Sequence, residues 1–175
     1  RPEAVGNERR LLVSKQAGRS NVLAALERFG FVSDRDDDRI TRLLDEVKAR
    51  EAGGYSYEAA EASFELLARR MLSNVPQYFS VDSFRVMVVS EAIVKVHVNG
   101  AAEPLWSVGE GNGPVNALDQ ALRKDLGKYQ KHINDIELVD YKVRILTGGT
   151  EAVTRVLVET HDNHTGERWI TVGVS

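Results

Sequence analysis

The sequence predicts an α+β protein in which a small helical subdomain (residues 1–74) precedes a pseudo-duplicated β-β-β-α domain (residues 79–175). Three observations carry that prediction. Apolar residues recur at helical spacing in the first part of the chain, they alternate from Phe79 onward, and the alternating pattern occurs twice. The two periodicities, 3.6 and 2, mark amphipathic helices and half-buried strands respectively.

Taken in order, residues 9–14 (RRLLVS) read as a short strand before a turn at Gly18. Ser20 stands where an N-cap belongs, and Val22, Leu23, Leu26 and Phe29 form an apolar stripe that stops at Gly30. A second helix starts at Asp36-Asp37-Asp38, sets Ile40, Leu43, Leu44 and Val47 on one face, and ends at Gly53-Gly54. A third follows Ser56, with Ala60, Phe64, Leu67 and Met71 aligned. The chain divides near residues 73–80. Phe84, Val86 and Val88 then face one way on a first strand. Val94, Val96 and Val98 alternate with Lys95 and His97 on a second, which ends at the turn signal Asn99-Gly100. Residues 105–108 make a third strand. The loop Gly109-Glu110-Gly111-Asn112-Gly113-Pro114 leads into a helix with Pro114 in its first turn and Val115, Leu118, Leu122 and Leu126 on one face.

The order then restarts. Phe84-Arg85-Val86 recurs as Tyr141-Lys142-Val143, 57 residues on; Val94-Lys95-Val96 as Thr154-Arg155-Val156, 60 on; and Ser107-Val108-Gly109 as Thr171-Val172-Gly173, 64 on. Repeat one spans 79–134 and repeat two 135–175, with longer hairpin loops expected in the second copy, notably at 161–166. The second copy reads as cut short before its helix, so its sheet is expected to expose apolar surface that another copy or further residues would cover.

Composition narrows the chemistry. The 175 residues are 42% hydrophobic, enough for a core, with 23 Lys plus Arg against 26 Asp plus Glu. A net charge of −3 offers no electrostatic footprint for a nucleic-acid backbone or an anionic membrane. The absence of cysteine excludes disulfides, thiolate nucleophiles and Cys-ligated metals. With no long apolar run and charges at Arg1, Glu3 and Glu8, neither a membrane span nor a secretory signal is predicted, and a cytoplasmic location is expected. No catalytic constellation assembles. His97 alternates with buried valines and is expected to face solvent. His161 and His164 lie in a polar hairpin without a third ligand, the acidic run at 36–38 suits a helix dipole, and no serine sits in a nucleophile elbow.

The glycine loop is the best binding candidate. Alternate glycines let backbone approach a ligand, and the amides opening the following helix can receive a carboxylate or phosphate. A plain strand-to-helix turn explains the same spacing equally well.

Three stretches carry a resemblance: Gly111-Asn112-Gly113-Pro114-Val115-Asn116-Ala117-Leu118, Asp140-Tyr141-Lys142-Val143-Arg144, and Thr171-Val172-Gly173-Val174-Ser175. They resemble the C-terminal regulatory domain of the citramalate synthase and 2-isopropylmalate synthase family, with Asn116 where the family motif has Asp. Upstream, Val5-Gly6-Asn7, residues 12–21 (LVSKQAGRSN) and residues 55–70 (YSYEAAEASFELLARR) resemble the linker of the citramalate-type branch; the isopropylmalate type has His-Ala in place of Ser20-Asn21.

The resemblance implies a parent acyltransferase that condenses acetyl-CoA with a 2-oxo acid on an N-terminal, divalent-metal-dependent barrel. The metal and catalytic residues would belong to that barrel, so this chain would carry no catalytic residue, metal or cofactor. It implies a homodimer and an end-product effector, isoleucine for the citramalate type and leucine for the isopropylmalate type. Backbone amides of Asn112, Gly113 and Val115, with Gly111 and Pro114 shaping the loop, would hold the effector carboxylate. Asp140 would balance its ammonium, and Tyr141 or Leu118 would line its pocket. A stand-alone amino-acid-binding or dimerisation module, without an attached enzyme, is the alternative.

Overall fold

The computed structural model describes residues 18–31, 37–87, 90–124 and 126–175. The strand expected at 9–14, the linker motifs before Gly18, Asp36 and Val88 lie outside those residues. The elements are α1 (Arg19–Arg28), α2 (Asp38–Ala52), α3 (Glu61–Leu72), β1 (Phe79–Met87), β2 (Glu91–Val98), β3 (Leu105–Glu110), α4 (Pro114–Lys124), a short α5 (Gln130–Ile133), β4 (Ile136–Ile145), β5 (Thr154–Asp162) and β6 (Arg168–Val174). Two antiparallel three-stranded sheets result, ordered β1-β2-β3 and β4-β5-β6, so the fold is α+β and built on a repeated three-strand unit. None of the described helices is long and apolar enough to cross a membrane.

The chain forms two compact units. One contains residues 1–75, 138–161 and 166–175; the other contains 76–137 and 162–165. In the first unit, the helical stripes close a core of Val22, Leu26, Ile40, Leu43, Val47, Phe64 and Leu67, with Phe29 and Tyr57 rings about Phe64 at 6.0 and 6.1 Å. The helix limits differ in detail from expectation. Gly18, not Ser20, is the N-cap of α1, because the first turn begins two residues earlier and its opening carbonyl is that of Gly18. Asp37 caps α2, its carboxylate accepting the Arg39 amide. That bond and the Arg39 guanidinium hold its carboxyl below the ordinary range. Residues 57–59 form a turn, so α3 starts later than Ser56 suggested.

In the other unit, Ala92, Val94, Val96 and Val98 of β2 are buried beneath Ala117, Ala121 and Leu126, while His97 is exposed as its alternation predicts. Fully burying a valine stabilises by about 1.5–3 kcal/mol, so this one strand is the centre of the unit. The face of α4 departs from the expected Val115-Leu118-Leu122-Leu126 stripe. Ala117 and Ala121 point inward, Leu118 and Leu122 flank them half-buried, and Val115 is exposed. The reason lies in β3. A Cβ at Gly109 would stand 2.3 Å from the Ala121 amide nitrogen, so α4 crosses a bare glycine at a distance only alanines allow.

The ladders also correct the repeat. Ala92 pairs with Gly109 and Val94 with Ser107; in the second sheet Val156 pairs with Gly173 and Val158 with Thr171. The middle strands therefore correspond at an offset of 64, as the third strands do, and not at 60. The β2–β3 and β5–β6 hairpins therefore hold corresponding residues at one constant offset. The extra residues of the second copy lie between β4 and β5, closed by the Leu146 amide on the Val153 carbonyl at 2.8 Å, and not at 161–166. A slip of an even number of residues leaves every side chain on its own face, which is why alternation alone misplaced the match.

Candidate functional site

The loop between β3 and α4 is built by three different uses of glycine. Gly109 is spent on helix packing. Gly111 admits Asn116: a Cβ there would meet the Asn116 Oδ1 at 2.3 Å, and the Gly111 amide donates to the Ser90 carbonyl at 2.9 Å. Ser90 holds that carbonyl in place with a left-handed φ of 67°, in the turn between β1 and β2. Gly113 alone faces open space, with nothing within 4 Å of a Cβ built there. Two of the three glycines thus have a structural reason, and the third, Gly113, leaves open space beside the helix start.

The helix start is open to solvent. Asn112, Pro114 and Val115 are exposed and Gly113 is half-exposed. The Gly113 carbonyl accepts the Ala117 amide at 2.9 Å, which makes Gly113 the cap and Pro114 the first helical residue. Asn116, third in the helix, reaches back so that its Oδ1 accepts the Asn112 amide at 3.2 Å. The bond resembles the return arm of a capping box displaced by one residue, since it takes the Asn112 amide and not that of the Gly113 cap, and it is made by a neutral side chain. It occupies the Asn112 donor but adds no negative charge, so the positive end of the helix dipole stays uncompensated at this spot. An anion placed here meets the amides that follow Asn112.

The remaining expected residues lie elsewhere in the chain. Leu118 is half-buried one turn into α4, at the flank of the core. Asp140 and Tyr141 are on β4, in the unit that holds the helices. Tyr141 is exposed, and the Asp140 carboxylate pairs with Lys142 at 3.3 Å. Gly111, Asn112, Gly113, Pro114, Val115 and Leu118 are therefore brought together as one loop and helix start, while Asp140 and Tyr141 belong to the other unit. Asn116, which closes this loop on the Asn112 amide, was not among the expected residues. Its position three residues after a glycine cap is the signal that could have found it.

Both sheets present apolar side chains to solvent. Trp106 is 66% exposed and lies with Val108 and Met87 around the face opposite α4, its ring 5.6 Å from the Lys95 ammonium. Phe84 projects from the edge strand β1, paired with Val94 but 65% exposed because α4 covers β2 and β3. On β4 of the other unit, Val139, Tyr141, Val143 and Ile145 are exposed along one side. Among the described residues, no group of three His, Asp or Glu side chains could hold a metal ion.

Comparison with known proteins agrees with this architecture. Residues 58–175 match the LeuA allosteric (dimerisation) domain. The chain is 49% identical to an (R)-citramalate synthase of Synechocystis, 46% to one of Geobacter sulfurreducens and 43% to one of Aquifex aeolicus, each over 99% or more of its length. It spans 34% of each of these relatives, about a third of their length. A family match over most of the chain, on a repeated three-strand fold with a glycine-crossed helix, settles the relationship: this chain belongs to the LeuA allosteric (dimerisation) domain family.

Proposed function

We propose that the chain is the effector-binding and dimer-forming portion of a citramalate synthase-type acyltransferase, and that isoleucine is its feedback effector. The observation that carries this reading is the identity of 43–49% to three proteins named (R)-citramalate synthase, sustained across essentially the whole chain. Catalysis then resides in the portion of the polypeptide outside this chain, and the loop at Gly113 holds the amino-acid carboxylate on amides at the start of α4. Dimer formation is supported by the apolar surface around Trp106 and Val108, which a monomer in water would keep at a cost.

Titration calorimetry of the chain with isoleucine, leucine and valine tests the effector. Isoleucine is expected to bind tightest, by the roughly 1–3 kcal/mol that the placement of one methyl group is worth. Heat for none of the three refutes the sensor reading, and a preference for leucine reassigns the chain to the isopropylmalate branch. Sedimentation of Trp106→Glu tests the surface: a shift from dimer to monomer is expected, and an unchanged dimer moves the interface off this face.

A further inference from the structure

Within one compact unit, α3 lies along the free edge of β6, and two polar contacts tie the helical segment to the sheet. Thr154 and Ser175 exchange both backbone bonds across β5 and β6, so alternation turns the amides of Val174, Val172 and Ile170 away from β5. The Ser63 Oγ accepts the outward Val172 amide at 2.9 Å. A second bond runs from the Arg155 Nε to the Gly54 carbonyl at 2.5 Å. Gly54 has a φ of 108°, and a Cβ there would come within 2.5 Å of the Leu146 Cδ1, so the connection after α2 lies flush on the sheet. Beside these bonds a cavity of about 440 Å³ opens, with Phe29, Tyr57, Phe64, Trp169 and Ile170 in its wall. The buried helical core takes no member from the sheet. Two hydrogen bonds and one bare glycine thus mark a seam that has an open cavity at its side.

The Val172 amide can trade a serine hydroxyl for water at little net cost, so a modest change in free energy is enough to open this contact. We propose that Ser63 and Arg155 form a latch through which effector binding in the β-domain is passed to the helical region, with Ser63 acting as a positioning residue. The proposal rests on the reading of this chain as a feedback-regulated portion of a larger enzyme. Feedback requires an element whose equilibrium differs between the bound and free states, and coupling of this kind changes affinity about 5- to 150-fold. An edge-strand amide held by one side chain is an element of that type.

The test uses the full-length enzyme, titrated for inhibition with isoleucine, leucine and valine. Ser63→Ala removes the acceptor and keeps the helix. It is expected to leave the uninhibited rate and the effector dissociation constant unchanged, while raising the residual rate at saturating effector by about three- to tenfold, the value of one such bond. Ser63→Thr, which restores a hydroxyl, is expected to recover inhibition, and Arg155→Met to weaken it in the same direction as Ser63→Ala. Faster hydrogen exchange at the Val172 amide in Ser63→Ala would confirm that the bond itself was lost. If the unmodified enzyme is inhibited and Ser63→Ala is inhibited equally, the latch is overturned while the sensor reading stands. If the unmodified enzyme is inhibited by none of the three amino acids, the sensor reading falls and the latch falls with it.

Discussion

The first and second copies of the three-strand unit share their pairing pattern and differ in what covers them. In the first, α4 crosses β3 at Gly109 and four side chains of β2 become buried. In the second, Gly173 holds the position of Gly109 in the ladder, yet nothing lies within 4 Å of a Cβ built on it. None of the buried side chains among the described residues comes from the second sheet. Alternation of apolar residues is thus a capacity to form a core, and a covering element converts that capacity into stability. The second sheet gains its support at the β6 edge instead, from Ser63 of α3. Covering an edge with a helix also hides outward amides that would template further pairing.

The comparison can be broken or sharpened by substitution. The largest effect is expected from Gly109→Val. Its side chain collides with α4 backbone, so a loss of about 3 kcal/mol or more is expected in urea unfolding of the unit. Gly173→Val, its partner in the repeat, meets open space and is expected to fall within about 0.5 kcal/mol of the parent chain. Equal effects would mean that the two positions do not differ in what covers them. Next in size, Val94→Ala should cost about 2 kcal/mol by leaving a cavity beneath α4, whereas Val158→Ala in the half-exposed second sheet should cost under about 1 kcal/mol by the same measurement.

A smaller and more specific effect is expected at the loop. Gly113→Val has room for its side chain and should leave the unfolding midpoint unchanged, yet crowd the amides that receive a carboxylate and weaken isoleucine binding by about tenfold, read by calorimetry. Unchanged affinity would move the site elsewhere.

The smallest effect concerns the two hairpin turns. The β2–β3 connection begins with Asn99-Gly100, with Gly100 at a φ of 89° and the Ala101 amide on the Val98 carbonyl, a pattern that suits a type II turn over residues 98–101, which contain no titratable group. The β5–β6 turn is instead held by Asp162, whose carboxylate accepts the amides of His164 at 2.7 Å and Thr165 at 3.1 Å. Those bonds lower its carboxyl below the ordinary aspartate value of 3.8. A depressed carboxyl contributes its stabilisation above the unfolded value and loses it as pH falls through the folded one. The His164 and Thr165 amide resonances should therefore shift on acidification below about pH 4, while those of Asn99 and Gly100 should not, and Asp162→Asn should abolish the difference.

Much of this was legible from residue order. The stripes of α1, α2 and α3 named their buried faces, since a period of 3.6 admits few alternatives when Ile40, Leu43 and Val47 or Phe64 and Leu67 recur along it. The burial of Val94, Val96 and Val98 with His97 outward followed from a period of 2 in the same way. The glycine loop was recognised as unusual, but its sequence does not distinguish a glycine used for packing from one left open. Only the approach of α4 separates Gly109 and Gly111 from Gly113. Register was equally hidden, because alternating strands look alike at every even offset.

What the order of residues determined by itself was the kind of each element and the side it presents, because backbone sterics and solvent act on neighbours in the chain. Which of those sides is covered was decided in three dimensions. The alanine face of α4, the exposure of Val115 and Phe84, and the meeting of Ser63 with Val172 all depend on residues far apart in sequence. Distance between two packed backbones selects side-chain size, and that distance is a property of the assembled fold, set here by a glycine in one strand and two alanines in the helix above it.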